Sequence, residues 1–228
     1  MATRGLFITI EGPEGGGKTT QAERLRATLA DAGATVLLTR EPGGTWLGER
    51  LREVLLARTA SSAAPTDPLT DALLFNAARR QLVRDVIRPT LDAGTTVVCA
   101  RFADSTLAYQ GYGAGVALAR LRALADMATD GLQPDLTLLL DLPVEAGLAR
   151  KAPGDVTRFE AEYDLAFHRR VRDGFLTLAA EAPERFVVVD ATGTVDQVAA
   201  DVASAVNMSI GHHERSNEPE SVGVRTTP

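Results

Sequence analysis

Five short, nearly unbroken apolar runs punctuate the chain: LFITI at 6–10, TVLLT at 35–39, TVVCA at 96–100, LTLLLDL at 136–142 and RFVVVD at 185–190. Apolar and polar residues do not alternate in them, so they fit strands covered on both faces. Between the runs, apolar positions recur at helical spacing over about 18–32, 47–58, 69–93, 103–128 with a break, 144–151, 157–182 and 194–207. Strand alternating with helix predicts an α/β fold, a five-stranded parallel sheet between two helical layers. No repeat or compositional shift marks a second domain, so residues 1–208 read as one domain. Within it, RKAPGDVTRF at 150–159 sets proline and glycine among basic residues and reads as a mobile loop between helices. From Ser209 the segment SIGHHERSNEPESVGVRTTP loses apolar periodicity, and a disordered polar tail is expected over 209–228.

Composition narrows the class. The chain has 228 residues, 45% hydrophobic and 24% charged, the balance of a soluble globular protein. A net charge of −6 speaks against a general nucleic-acid coat, which needs a basic face, but leaves room for a local cationic pocket. The single cysteine, Cys99, sits in an apolar run and reads as core; without a partner thiol, a reducing cytoplasm is the expected compartment. No apolar run approaches the roughly 20 residues of a membrane span, so no membrane partner is expected. MATRGLFITIEG enters its strand too early for a signal peptide.

The strongest chemical signal follows the first strand. Gly12-Pro13-Glu14-Gly15-Gly16-Gly17-Lys18-Thr19 fits G-x-x-x-x-G-K-[ST], and Thr20 continues into the predicted helix. Glycines let the backbone wrap phosphate and turn its N–H groups inward, and the helix adds the positive end of its dipole. In such a loop Lys18 reaches the β- and γ-phosphates, while the Thr19 hydroxyl takes a place on Mg²⁺. The motif predicts ATP-type nucleotide binding and says nothing of what receives the phosphate. Phe75 and Arg79, four residues apart on one predicted helix, pair an aromatic plane with a guanidinium suited to a base and its edge. Arg101 directly follows a buried strand, where a cation needs a partner; phosphate is a natural one.

FITIEGPEGGGKTT, TREPGGT, FNAARRQ, ARFADSTLAYQG, PDLTLLLDLPVEAGLAR and RFEAEYDLAFHRRVRDGFLTLA occur in the order and spacing of the bacterial-type thymidylate kinases. The chain resembles that family over about residues 5–206, and REPGG with S-x-x-A-Y-Q-G is far more specific than the phosphate loop alone. The resemblance implies a P-loop NTPase fold, phosphorylation of dTMP to dTDP with Mg-ATP, and a homodimer. It implies that Phe75 stacks on thymine, that Arg79 reaches its exocyclic oxygen, and that Arg101 takes the acceptor's monophosphate. Ser105 would lie near the base edge, and Tyr109 would crowd the sugar 2′ position with Gln110 lining the same pocket. Glu14 would meet the sugar 3′-OH and lie close to the metal, while Arg40 and Glu41 would organise the acceptor side. Arg150, Lys151 and Arg158 would belong to a lid that closes over ATP and stabilises the transferring phosphoryl.

One position departs from the family. Asp-Arg is usual where this chain has Ala100-Arg101. That aspartate helps hold Mg²⁺ or its water shell; Glu14, Asp141 or Glu41 are candidates to cover the role. A nucleotide-binding relative with weakened catalysis, and a kinase of a modified pyrimidine monophosphate, stay open as alternatives.

Overall fold

The computed structural model describes residues 4–57, 66–152, 154 and 156–216. Its centre is one parallel sheet of five strands in the order β2-β3-β1-β4-β5. These are β1 (Phe7–Glu11), β2 (Val36–Arg40), β3 (Thr96–Ala100), β4 (Leu136–Asp141) and β5 (Phe186–Asp190), each within a residue or two of its apolar run. Register is continuous, with Ile10 beside both Ala100 and Leu138, and Arg40 beside Ala100.

Alternation along the strands divides the core in two. Ile8, Ile10, Val98, Ala100, Leu138 and Leu140 face α1 (Lys18–Asp31) and α10 (Val195–Ser216), packing on Ala22, Leu25, Val198 and Val202. Phe7, Val97 and Cys99 face the opposite layer, where α3 (Pro68–Leu82) and α6 (Leu118–Thr129) supply Leu82 and Ala125. Leu139 and Phe186 meet Val171, Phe175 and Leu178 of α9 (Leu165–Glu181) on that same side. The result is the expected three-layer α/β/α arrangement. Because β1 lies between β3 and β4, the strand order reverses there, and the crevice at the carboxyl ends is where such sheets bind ligands.

Several boundaries differ from the periodicity. The long stretch 69–93 is α3, a π-helical turn at Val83–Ile87 and α4 (Arg88–Asp92). The stretch 103–128 opens with the short α5 (Ala103–Thr106), passes through a π-helical segment at Leu107–Gly113 and resumes in α6. The stretch 157–182 breaks at Asp164, which caps α9 by accepting the Phe167 N–H at 2.7 Å, and leaves α8 (Arg158–Glu162) ahead of it. The final helix runs to Ser216, past the point at which the sequence expects a disordered tail. An established helix extends at one hydrogen bond per added residue, and no proline intervenes before Pro219. Residues 217–228, the rest of that expected tail, lie outside the described residues, as do Pro153 and Asp155 of the 150–159 loop. Among the described residues no helix is long and apolar enough to cross a membrane.

The phosphate loop is fixed by close backbone approach. Gly15 has φ 71°, and a Cβ there would stand 1.8 Å from the Gly147 carbonyl oxygen of α7 (Val144–Ala149). The reverse also holds: a Cβ on Gly147 would stand 2.2 Å from the Glu14 carbonyl oxygen. Gly147→Ala, far from the loop in sequence, is therefore expected to weaken binding of an ATP analogue at least about tenfold and to cost about 1–3 kcal/mol of stability. Fluorescence titration and thermal unfolding read the two effects; unchanged affinity would refute the contact.

Candidate active site

At the carboxyl end of the sheet lies one cavity of about 720 Å³. Glu14, Gly15, Gly16, Gly17, Lys18, Thr19 and Thr20 form its floor. Glu41, Phe75, Arg79, Arg101, Ser105, Tyr109 and Gln110 line one side, and Arg150, Lys151, Gly193 and Val198 line another. Lys18 and Arg101, read from separate motifs, thus open into the same space. Gly12 and Pro13 lie behind this wall, their carbonyls accepting the Lys18 ammonium at 3.0 and 2.6 Å. Burial, and then the nearby Arg101 charge, lower the Lys18 amine to about 7.

Arg101 is held in an uncommon backbone conformation, φ 69°, just beyond β3. Its guanidinium donates to Glu14 Oε1 at 2.8 Å, the Tyr109 hydroxyl at 3.1 Å, Ser105 Oγ at 3.1 Å and the Gly12 carbonyl at 3.3 Å. The Tyr109 hydroxyl in turn donates to Glu14 Oε1 at 2.7 Å. Lys151 reaches the other Glu14 oxygen at 3.2 Å and also pairs with Glu160. Burial alone would raise the Glu14 carboxyl; Arg101, with Lys18 and Lys151, outweighs it and holds the group well below the usual carboxylate range.

Phe75 and Arg79, expected to meet a base, are held differently. Phe75 stands half-buried in the wall, tilted against Phe159 with centroids 6.2 Å apart. Arg79 is buried: its Nε and Nη2 donate to Glu41 Oε2 at 2.9 and 2.7 Å, and Nη1 donates to Asn76 at 2.8 Å. Nη2 also reaches the Phe102 carbonyl and Thr106 Oγ1. A guanidinium carries five N–H groups, so Nη1 retains one beyond its bond to Asn76. Glu41 thereby ties the turn after β2 to α3.

Other assignments are redistributed. Arg158 does not line the cavity; it is buried between α2 (Trp46–Leu56) and α3. Its Nε donates to the Leu55 carbonyl at 2.5 Å, and Nη2 lies 2.7 Å from Asp71, off the hydrogen-bonding line. A desolvated guanidinium must be paired, and these partners tie Arg158 to the wall rather than to a lid. Arg150 lines the cavity, but its guanidinium donates to the Ala191 and Thr192 carbonyls at 2.8 and 3.1 Å, in the loop after β5. Arg40 lies outside, paired with Glu49 at 3.0 Å. Of the three lid cations, Lys151 stands beside the phosphate loop.

Of the suggested replacements Glu41 adjoins Ala100, its backbone N–H donating to the Ala100 carbonyl at 3.0 Å, but its side chain turns to Arg79. Asp141 faces the other layer and is held by Arg172 at 2.7 and 2.8 Å. Glu41 gives its Oε2 to Arg79 and keeps Oε1 without a hydrogen-bond partner, while Glu14 is engaged by three donors. Sequence reasoning missed two residues. Arg52, on α2, lines the acceptor side and donates to the Pro42 carbonyl at 3.0 Å. Glu11 ends β1 beneath the site, buried, and accepts from Phe102 N, Ser105 N and Ser105 Oγ. Its signal was available: a charged residue closing an apolar strand needs partners as much as Arg101 does.

A glycine loop opening a helix, with a lysine and an arginine converging on one cavity, defines a P-loop phosphoryl-transfer protein with room for donor and acceptor. The family model for thymidylate kinase matches residues 10–202. The chain is 53% identical to a thymidylate kinase of Deinococcus radiodurans over 206 residues, 90% of this chain and 98% of that protein. It is 52% identical to one of Thermomicrobium roseum over 212 residues, 92% of this chain and 98% of the relative. The crystal structure of thymidylate kinase from Ehrlichia chaffeensis superposes with a TM-score of 0.71 at 36% identity, covering 89% of this chain and 99% of that one. The chain belongs to the thymidylate kinase family and is an enzyme of the kinase class.

Burial, with the Asp104 charge adding to it, raises the Glu11 carboxyl from 4.5 to about 7. An acid bound more tightly in the folded state gives stability at low pH that is lost as pH rises through its folded value. Between pH 5 and pH 8 the Glu11 contribution should fall by about 2–3 kcal/mol. Urea unfolding should show this fall in the parent chain, and Glu11→Gln should lack it; identical pH profiles would refute the shift.

Proposed function

We propose that this chain transfers the γ-phosphoryl group of Mg-ATP to the 5′-phosphate of dTMP, giving dTDP and ADP. The observation that carries the reading is the single cavity shared by Lys18 and Arg101, in a chain of this family. ATP lies along Gly15–Thr20 with Lys18 on its outer phosphates. The acceptor sits with thymine against Phe75, its edge at Arg79, its deoxyribose near Tyr109 and Gln110, and its phosphate at Arg101. Its phosphate oxygen is already nucleophilic at neutral pH, so alignment and charge stabilisation supply the rate and no covalent enzyme intermediate is needed.

The residues fit a magnesium ion carried in by the nucleotide. Thr19 offers a hydroxyl at the cavity, and among the described residues no group of three or more His, Cys, Asp or Glu could hold a metal alone. Both Glu14 oxygens are engaged by cations, so Thr19, rather than Glu14, is the protein ligand. Mg²⁺ takes most of its coordination from phosphates and water in such sites, where it neutralises charge on the β- and γ-oxygens.

Lys151 is the lid cation best placed to meet the transferring phosphoryl, since Arg150 and Arg158 are held elsewhere. Small-molecule chemistry on ATP and dTMP fits a cytoplasmic enzyme. A homodimer is supported by large apolar side chains left in water on adjoining helices: Trp46 at 77% and Val54 at 66% exposure on α2, and Leu73 at 49% on α3.

A coupled assay over a panel of nucleoside monophosphates should show ADP release that depends on dTMP and Mg²⁺; equal rates without acceptor would point to an ATPase instead. In that assay Lys151→Ala should lower kcat about 10²-fold or more, whereas Arg158→Ala should chiefly lower the unfolding temperature. Loss of kcat in the second variant and not the first would reverse the assignment. Light scattering should give twice the chain mass, and Trp46→Asp with Val54→Asp should give the monomer; a parent chain that scatters as a monomer would refute the dimer.

A further inference from the structure

The cation assigned to the acceptor's phosphate is braced by a carboxylate that meets neither cavity nor solvent. Glu11 is fully buried at the end of β1 and does not line the cavity. Its Oε1 accepts the backbone N–H of Phe102 at 2.7 Å and that of Ser105 at 3.2 Å. Its Oε2 accepts the Ser105 hydroxyl at 2.6 Å. These donors belong to the turn after β3 and to the first turn of α5, whose own N-cap residue, Phe102, supplies no side-chain cap.

That turn carries Arg101. With φ 69°, Arg101 occupies the left-handed region, which L-residues other than glycine enter at a cost. The strain is held from both sides by β1. Arg101 N donates to the Ile10 carbonyl at 2.9 Å, and the next N–H, of Phe102, goes to Glu11. A second link runs through side chains: the Ser105 hydroxyl that donates to Glu11 also accepts Arg101 Nη1 at 3.1 Å. With its hydrogen given to Glu11, the hydroxyl presents only lone pairs to the guanidinium. The carboxylate therefore fixes both the backbone that throws Arg101 into the cavity and the orientation of the hydroxyl that steers it. A buried acid of this kind persists only where its hydrogen bonds compensate its desolvation, and all three of them come from the turn after Arg101 and the start of α5.

We propose that Glu11 is a positioning residue that aims Arg101 at the acceptor's phosphate, acting in part through the Ser105 hydroxyl. The proposal rests on the reading of Arg101 as the acceptor's phosphate cation. Glu11→Gln keeps the shape but replaces one acceptor oxygen with a donor that faces other donors.

Calorimetric titration of dTMP and, separately, of a non-hydrolysable ATP analogue should be run on the parent chain, Glu11→Gln, Ser105→Ala and the double variant. Glu11→Gln should weaken dTMP roughly ten- to hundredfold, leaving the ATP analogue within about twofold. In the Ser105→Ala background the same change should cost distinctly less, because the side-chain link is already cut. Equal losses for both nucleotides would show a merely structural cap, and full additivity would remove Ser105 from the path; either overturns the proposal. A parent chain that binds no dTMP would instead overturn the functional reading. Should Glu11→Gln fail to fold, Glu11→Asp, which keeps the charge one methylene short, replaces it: dTMP should again weaken selectively, and parent-like dTMP affinity would overturn the proposal.

Discussion

The Arg101–Glu14 ion pair, 2.8 Å long and largely withdrawn from water, is the contact on which the site depends. It joins the strand-end turn after β3 to the phosphate loop after β1, and so sets the distance between the two nucleotide positions. Coulombic attraction in such a wall is stronger than in water, but each charge has also lost its hydration. The geometry meets that cost by giving Glu14 three donors and Arg101 four acceptors. Lys18, Arg101 and Lys151 converge around the single Glu14 carboxylate, so the cavity keeps a surplus of positive charge within a chain whose net charge is −6. Phosphates are the ligands that such a surplus selects.

Much of this was legible in the sequence because it rests on local rules. Continuous apolar runs located five strands, the central β1, β3 and β4 buried and the edge strands β2 and β5 partly exposed, and Gly12–Thr19 announced its own backbone path. Phe75, Arg79 and Tyr109 came from helical spacing or from motif resemblance, and the fold brings them to one cavity. What failed was direction. Arg150, Lys151 and Arg158 are close in sequence, yet they end at three different partners: the loop after β5, the phosphate loop, and the α2–α3 wall. Basic residues in a loop have no periodicity from which to read where each points. Helix ends were obscured in the same way: the extension of α10 to Ser216 needs no apolar stripe, only an existing helix and the absence of proline.

The absence of a carboxylate at residue 100 is resolved by parity rather than by substitution. Side chains alternate across a strand, so Ala100 faces α1 with Ile10 and Val98, while Glu11 faces the opposite layer with Phe7 and Thr9. Glu11 therefore cannot stand in for an acid at position 100, although both close neighbouring strands at the same edge. Nor does Asp141, which a pair of bonds from Arg172 holds on the far side of β4. Position 100 itself carries no charge in this chain, and the carboxylate next to it, Glu41, turns Oε2 to Arg79.

That economy is tolerable because the chemistry asks little of the protein beyond placement. The acceptor is ionised before it arrives, so no residue needs to remove a proton. Among the described side chains the one histidine, His168, is buried on α9, outside the cavity. What the reaction does require is two polyanions brought into line, and like charges resist that unless fixed cations screen them. Here Glu14 pairs with Arg101 and Lys151, and the Gly12 and Pro13 carbonyls hold Lys18 beside them, so three cations face one space. Losing one acid from such a set makes the cavity more cationic. It favours phosphate binding while weakening support for the metal, and a kinase can survive that exchange where an enzyme dependent on a general base could not spare its carboxylate.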